Sequence, residues 1–300
     1  MKQLFTATIQ HLKQSFSFFT FFLCFITIAV ACCSNYYGYF KLWPVHESFT
    51  KSFFFLFVLF FVFFTAGLAF TLLNKHTKPV WNNHYKWIFI AAPAVFALKV
   101  SLPFDELLLN HFSAAYQLAF HKAAAWMGGF LFTVPVLMLL YYLFEQKWNL
   151  YFIKKTNSFT PYLVLLLCMV PLLLFASAQT SFQQVYPRSK DVAMALGNSA
   201  TPFHYIFFEL GYAMDFITIE LFFRGLLIAT VSRVLGIRCI IPVALFYFSI
   251  HLGKPMLEAI SSFFGGLILG AVSYETKSIW GGWMVHFGIA LLMELLGYIM

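Results

Sequence analysis

Residues 52–74 read SFFFLFVLFFVFFTAGLAFTLLN and contain no charged side chain. A helix of this length is long and apolar enough to cross the hydrocarbon core of a bilayer, which needs about 20 apolar residues. Similar stretches recur along the chain, which is 61% hydrophobic and only 10% charged. In soluble domains about a quarter of the residues are charged. The sequence therefore predicts an integral membrane protein.

The apolar stretches predict about nine membrane spans. All should be helices, because unpaired backbone groups are too costly in lipid. The predicted spans cover approximately residues 15–34, 52–74, 86–102, 123–144, 160–178, 204–232, 239–253, 256–273 and 278–298. Since these spans account for nearly the whole chain of 300 residues, we expect an all-α fold. It is a polytopic transmembrane helical bundle without a separate soluble domain.

The formal net charge of +8 has an explanation in membrane topology. Its basic residues are scattered over short loops and form no stripe, so no nucleic-acid partner is predicted. Loops on the amino-terminal side carry Lys2, Lys13, Lys75, Lys78, Lys86, Lys147, Lys154, Lys155, Arg233, Arg238 and Lys277. Loops on the opposite side carry Lys41, Lys51, Arg188, Lys190 and Lys254. The positive-inside rule then predicts a multi-pass protein of the cell (inner) membrane, with membrane lipid around it and a cytoplasmic N-terminus.

Ionisable side chains within the predicted spans concentrate in the last third of the chain. They are Glu209, Asp215, Glu220, Arg224, His251, Glu258, His286 and Glu294. Such groups usually face the bundle interior and mark function. Counted along their helices, Glu220, His251 and His286 lie roughly 20, 18 and 12 Å from the cytoplasmic side. We therefore predict that three helices bring one carboxylate and two imidazoles to one pocket.

The stretch IELFFRGLL, residues 219–227, places Glu220 and Arg224 four positions apart. On an α-helix these side chains share one face. Taken alone, the pair also fits an intrahelical ion pair with a purely structural role. The two histidines at similar depth favour an active site instead. After His251, the residues Gly253 and Pro255 predict a tight turn that puts Glu258 at the start of the next helix.

Three segments resemble the motifs of the CPBP family of intramembrane proteases, also called the Abi or CAAX-protease family. LFFRGLL at 221–227 is similar to the motif EExxxR, and ALFYFSIHLG at 244–253 is similar to FxxxH. GGLILGAVSYETKSIWGGWMVHFG at 265–288 is similar to HxxxN with its preceding helix. The resemblance covers about the last hundred residues. It implies that residues 201–300 form a catalytic core, with residues 1–200 as amino-terminal transmembrane helices of the same bundle.

The resemblance also implies roles for the motif residues. In this family the first Glu of EExxxR is thought to activate water, and the second Glu and the Arg form a supporting pair. The two histidines and the Asn are thought to bind the water or to stabilise the oxyanion. Here Ile219 stands in place of the first Glu and Ala290 in place of the Asn, while Tyr247 replaces the aromatic Phe.

These departures leave three outcomes open. Glu220 itself could turn to the water, with Arg224 setting its ionisation. A carboxylate from elsewhere, Glu258 or Glu294, could fill the missing place. The third outcome is an inactive site that is kept for binding.

We expect an intramembrane endopeptidase that hydrolyses a peptide bond in a membrane-associated or lipidated peptide or protein. Its catalytic residues would be Glu220, Arg224, His251 and His286, with Glu258 in reserve. One Glu and two His also match a three-ligand catalytic zinc set, so His251, His286 and Glu220 are candidate zinc ligands. A catalytically inactive CPBP-like scaffold or immunity protein is the alternative. A transporter is a further hypothesis, but the sequence shows no repeat relating two halves.

Overall fold

The computed structural model describes residues 17–38, 48–74, 77–81, 86–144 and 159–300, together with Thr6, Ile9 and Ile153. Thirteen α-helices lie in these ranges. They are α1 Phe18–Cys32, α2 Phe49–Leu72, α3 Ile88–Ser101, α4 Phe104–Leu109, α5 Ala114–Phe144, α6 Thr160–Ser177, α7 Thr180–Gln183, α8 Lys190–Leu196, α9 Pro202–Glu220, α10 Ala229–Leu235, α11 Ile240–Ser249, α12 Met256–Thr276 and α13 Trp280–Ile299.

The described part of the chain contains no β-strand and only one isolated bridge, between Ile153 and Ser278. Seven of its helical segments are long and apolar enough to cross a membrane. They are Phe18–Tyr37, Phe49–Leu72, Ala114–Leu143, Thr160–Ser177, Pro202–Ser249, Met256–Thr276 and Trp280–Ile299. Many large apolar side chains on these helices are exposed, as suits contact with lipid. The prediction of an all-α, polytopic transmembrane bundle is confirmed.

The predicted count of nine spans is not confirmed, for two local reasons. The segment expected at 86–102 forms α3, which has 14 residues and contains Pro93. The two spans expected at 204–232 and 239–253 lie within the single helical run Pro202–Ser249, which has 48 residues. One bilayer crossing requires only about 20 residues. Gly236, with a positive φ of 58°, ends α10 within it.

The chain divides into two compact units that interleave along the sequence. The first unit comprises Met1–Ser101, Leu143–Thr156 and Leu221–Ile279. In it, α2 packs against α3 and α11, and α11 packs against α12. The core is a cluster of phenylalanine rings in which Phe96 lies 5.0 Å from Phe222 and 5.3 Å from Phe223, measured between centroids. Rings of this kind supply much of the buried apolar area of a core.

The second unit comprises Leu102–Tyr142, Asn157–Glu220 and Trp280–Met300. In it, α13 packs against both α6 and α9. One apolar cluster joins α5, α8 and α9 through Phe120, Val192 and Phe208. Because α9 and α13 belong to this unit, it contains both Glu220 and His286. The predicted division into residues 1–200 and 201–300 stays a prediction.

Candidate active site

The LFFRGLL motif is not α-helical. Pro202 starts α9, a first-turn position that suits proline because its missing N–H is not needed there. Glu220 is the last α-helical residue, and residues Leu221–Ile228 form a π-helix. Such wide turns are uncommon and occur frequently at functional sites. The expectation that Glu220 and Arg224 share a face assumed the α-helical period, which does not hold in this segment.

The second unit brings Glu220 and His286 together. Nδ1 of His286 lies 2.7 Å from Oε1 of Glu220. The Glu220 side chain is completely buried, whereas the His286 side chain retains 13% of its accessible surface. The phenyl ring of Phe216 packs on the imidazole, with 5.6 Å between ring centroids. A fully buried carboxylate needs a polar partner. For Glu220 that partner is His286 of the third motif.

The space for the Glu220 carboxylate depends on a glycine one turn before His286. A Cβ atom at Gly282 would overlap Oε2 of Glu220. The carboxylate therefore lies directly against the backbone of α13, a closeness that only glycine permits. The sequence alone assigned no role to Gly282, although the pair Gly281–Gly282 stands visibly ahead of His286.

The contact with Glu220 fixes which nitrogen of His286 carries the proton. A carboxylate only accepts hydrogen bonds, so Nδ1 of His286 donates to it. In the neutral imidazole, Nε2 is then the acceptor nitrogen. This arrangement holds the ring in one orientation and gives Nε2 the ability to take a proton. The buried carboxylate also stabilises the positive charge that the ring would gain.

The second motif and Arg224 form a separate group within the first unit. Cζ of Arg224 lies 4.6 Å from the ring centroid of Tyr247, and the Arg224 side chain is 1% exposed. The ring of Tyr247 in turn lies 4.6 Å from the imidazole of His251. Nδ1 of His251 is 2.9 Å from the carbonyl oxygen of Tyr247, to which it donates. Tyr247 therefore holds both a cation over its ring and a histidine in a fixed tautomer.

The reserve carboxylate Glu258 has a local partner. It lies in the first turn of α12, and its Oε1 is 2.6 Å from Nζ of Lys254. This i,i+4 ion pair, together with the helix dipole, accounts for an acid at this position. The catalytic role that was held open for Glu258 stays a prediction.

Glu294 is held by the backbone in the second unit. Its carboxylate accepts hydrogen bonds from the backbone N–H groups of Arg188 and Ser189, at 2.7 and 3.0 Å, and from the hydroxyl of Ser189 at 2.7 Å. The side chain is 5% exposed. Glu294 thus joins α13 to the segment that precedes α8, and its use as the replacement carboxylate stays a prediction.

The two positions that depart from the family motifs are buried and apolar. Ile219 is 9% exposed and Ala290 is 2% exposed. Among the residues that the structure describes, no group of three or more His, Cys, Asp or Glu side chains is arranged to hold a metal ion. The zinc ligation predicted for Glu220, His251 and His286 stays a prediction, and we derive no step through a metal.

Comparison with known proteins gives one match. The family model described as "Type II CAAX prenyl endopeptidase Rce1-like" matches residues 201–292. No curated protein and no solved structure matches the chain. The matched region contains all three motifs and indicates a protease at a coarse level. The resemblance to the CPBP family is therefore confirmed for residues 201–292.

Proposed function

We propose that this chain is an intramembrane endopeptidase whose proton transfers are carried by the pair His286 and Glu220. The 2.7 Å contact between Nδ1 of His286 and Oε1 of Glu220 carries the proposal. It joins two residues that are 66 positions apart in sequence and belong to two different motifs. An imidazole with a buried carboxylate behind it is a recurrent arrangement for general acid–base catalysis.

The burial of the two side chains divides their roles. Glu220 is fully buried, and His286 is the partner that retains exposed surface. His286 is therefore the group that meets water: its Nε2 takes a proton from the attacking water and returns it to the leaving nitrogen. Glu220 fixes the imidazole and balances the charge on the protonated ring. This refines the expectation from sequence, in which Glu220 itself activated the water.

The remaining motif residues keep the roles that the resemblance implies. His251 is the second imidazole, which would bind the attacking water, because Nε2 of its neutral ring accepts a hydrogen bond. Its fixed orientation supports this, because Nδ1 is already committed to the carbonyl of Tyr247. Arg224, buried over the ring of Tyr247, supports the same segment. The sequence-based expectation of one pocket for Glu220, His251 and His286 stays a prediction.

The family match supports a proposal for the substrate class. A CAAX protease acts within the membrane on a prenylated protein. We propose a lipidated or apolar peptide, or the tail of another membrane protein, as the substrate here. The exposed apolar side chains on the helices suit a chain that meets such substrates from the lipid phase.

The test uses the full chain reconstituted in lipid vesicles with prenylated and unmodified peptides that end in a CAAX sequence. Mass spectrometry identifies the products. We expect cleavage by the wild type, and a loss of about 100-fold or more in His286→Ala and Glu220→Gln, as for a removed general base and its partner. Glu209→Gln, on the same helix as Glu220, and His204→Ala are matched controls. Cleavage unchanged in both site variants contradicts the proposed site.

A catalytically inactive binding protein is the second candidate function. The observation that favours it is the burial of Ile219 and Ala290, which puts apolar side chains where the family has a Glu and an Asn. In this case the wild type binds prenylated peptides in the vesicles, measured by fluorescence anisotropy, and releases no product. The two candidate functions are thus separated in one preparation.

A further inference from the structure

The helix α1 is followed by residues that contact the turn after His251. The helix α1 ends in a π-helical turn, Cys33–Tyr37. Nδ2 of Asn35 donates to the carbonyl oxygen of Leu252 at 2.7 Å. The hydroxyl of Tyr36 donates to the carbonyl oxygen of Lys254 at 2.7 Å and lies 3.3 Å from that of Leu252. These contacts join segments about 217 residues apart within the first unit.

The turn needs partners of this kind for a physical reason. The helix α11 ends at Ser249, and the last carbonyl groups of a helix have no intrahelical donors. The next helix begins only after Pro255, which has no N–H to offer. Leu252 is 1% exposed, and an unsatisfied carbonyl group in an apolar environment is costly. Asn35 and Tyr36 supply the donors that the local sequence lacks.

The same turn determines where His251 lies. The backbone N–H of Lys254 donates to the carbonyl oxygen of His251 at 3.0 Å, and the N–H of His251 donates to that of Phe248 at 2.9 Å. With Nδ1 bonded to Tyr247, the imidazole has little freedom relative to its own backbone. A shift of the turn therefore becomes a shift of the imidazole.

We propose that Asn35 and Tyr36 are positioning residues for His251, acting through the carbonyl groups of Leu252 and Lys254. Both lie outside residues 201–292, the region that the family model matches. The end of α1 thereby gains a function in the active site rather than only in the bundle. The effect on catalysis rests on the proposed function. The clamp, meaning the hydrogen bonds from Asn35 and Tyr36 to the carbonyl groups of Leu252 and Lys254, can be measured without any activity.

The experiment compares Tyr36→Phe and Asn35→Ala with Tyr37→Phe. Tyr37 is the adjacent tyrosine, is 78% exposed, and is the matched control. Hydrogen exchange followed by mass spectrometry reports the amides of residues 250–254 in the reconstituted protein. Histidine-selective NMR reports the imidazole of His251, assigned with a His251→Gln variant. Steady-state kinetics on a cleaved peptide is the third measurement.

We expect exchange of residues 250–254 to become about tenfold faster in Tyr36→Phe, as for one lost hydrogen bond. The imidazole signals of His251 shift in the same variant. The kcat falls about tenfold with little change in KM, because the transition state loses a placed group. Asn35→Ala behaves alike and Tyr37→Phe like the wild type.

Exchange and His251 signals that match the wild type in both variants overturn the proposal, whether or not any peptide is cleaved. Faster exchange with unshifted His251 signals also overturns it, since the turn then moves without the histidine. If the wild type cleaves and kcat is unchanged in Tyr36→Phe, the positioning function is wrong. A wild type without cleavage ends the proposed function, while exchange and NMR still decide the clamp.

Discussion

Two buried glutamates in the second unit have the same side chain and different surroundings. Glu294 accepts three hydrogen bonds, two from backbone N–H groups and one from the hydroxyl of Ser189. Glu220 instead contacts the imidazole of His286. Both carboxylates lie on helices that pack against each other, α13 and α9. Their partners differ in one respect: only the imidazole can change its protonation state near neutral pH.

This difference shows how to distinguish a carboxylate with a structural role from one with a catalytic role. Backbone N–H groups cannot accept a proton. They stabilise the negative charge that the carboxylate already carries. A carboxylate paired with an imidazole can pass its effect to a proton acceptor. Burial alone does not distinguish them, since Glu220 and Glu294 are 0% and 5% exposed.

The largest expected effect is on cleavage, where the two glutamates should behave oppositely. Glu220→Gln removes the charge that supports a protonated His286, so kcat/KM falls about 100-fold or more. Glu294→Gln leaves the His286 pair intact and retains kcat/KM within about threefold per folded molecule. The measurement is peptide cleavage in vesicles, normalised to folded protein. Equal losses in both variants would break the comparison.

Gly282→Ala sharpens the comparison at Glu220 without changing an ionisable group. The added Cβ overlaps Oε2 of Glu220, so the carboxylate must move and kcat falls about 10- to 100-fold. We expect the overlap also to lower the stability of the fold, although alanine is favoured over glycine in a helix by about 1 kcal/mol.

Gly265→Ala is the control for this variant, because a Cβ there meets open space. It should leave cleavage unchanged. Glu220→Asp, which shortens the side chain by one methylene, should partly restore the stability lost in Gly282→Ala when the two changes are combined. A double-mutant cycle on unfolding in detergent measures this coupling. No coupling means that the overlap does not govern the site.

The hydrogen bonds of Glu294 should matter for stability rather than for cleavage. Glu294→Gln weakens three hydrogen bonds to a charged acceptor, and we expect a loss of about 2–4 kcal/mol in the free energy of unfolding. Ser189→Ala removes only the hydroxyl donor and should cost about 1–2 kcal/mol. Chemical unfolding in detergent, followed by tryptophan fluorescence, gives both values. A larger loss in Ser189→Ala would contradict the assigned contacts.

The smallest expected effect is that of metal chelation. Within the described ranges no three ligand side chains are arranged for a metal ion. We therefore expect a strong zinc chelator to change kcat/KM by less than about twofold, with metal content followed by mass spectrometry. An activity that disappears with the chelator and returns with zinc would replace the His286–Glu220 scheme by a metal scheme.

The sequence predicted the class of fold well and the number of spans less well. Long apolar stretches such as 52–74 and 160–178 appear as α2 and α6 with nearly the expected bounds. The count is not confirmed at α3, which has 14 residues, and where one helical run covers two expected spans. Hydropathy measures the polarity of a segment and does not register a change of helix type such as the π-helix after Glu220.

Of the candidate site, the sequence identified Glu220 and His286 by motif and depth. It could not predict the close approach of the Glu220 carboxylate to Gly282 or the packing of Phe216 on His286, because both depend on how α9 and α13 approach each other. It also treated Glu294 as a spare carboxylate, since the donors that satisfy it, at Arg188 and Ser189, are more than 100 residues away in sequence.

The amino-acid sequence by itself determined that this chain is a helical membrane protein with a CAAX-protease-like region, because hydropathy and motif spacing are local properties. Tertiary structure alone decided which buried acid faces an imidazole and which faces backbone donors. The physical reason is that a carboxylate acquires its function from the groups packed against it, and those come from distant parts of the chain.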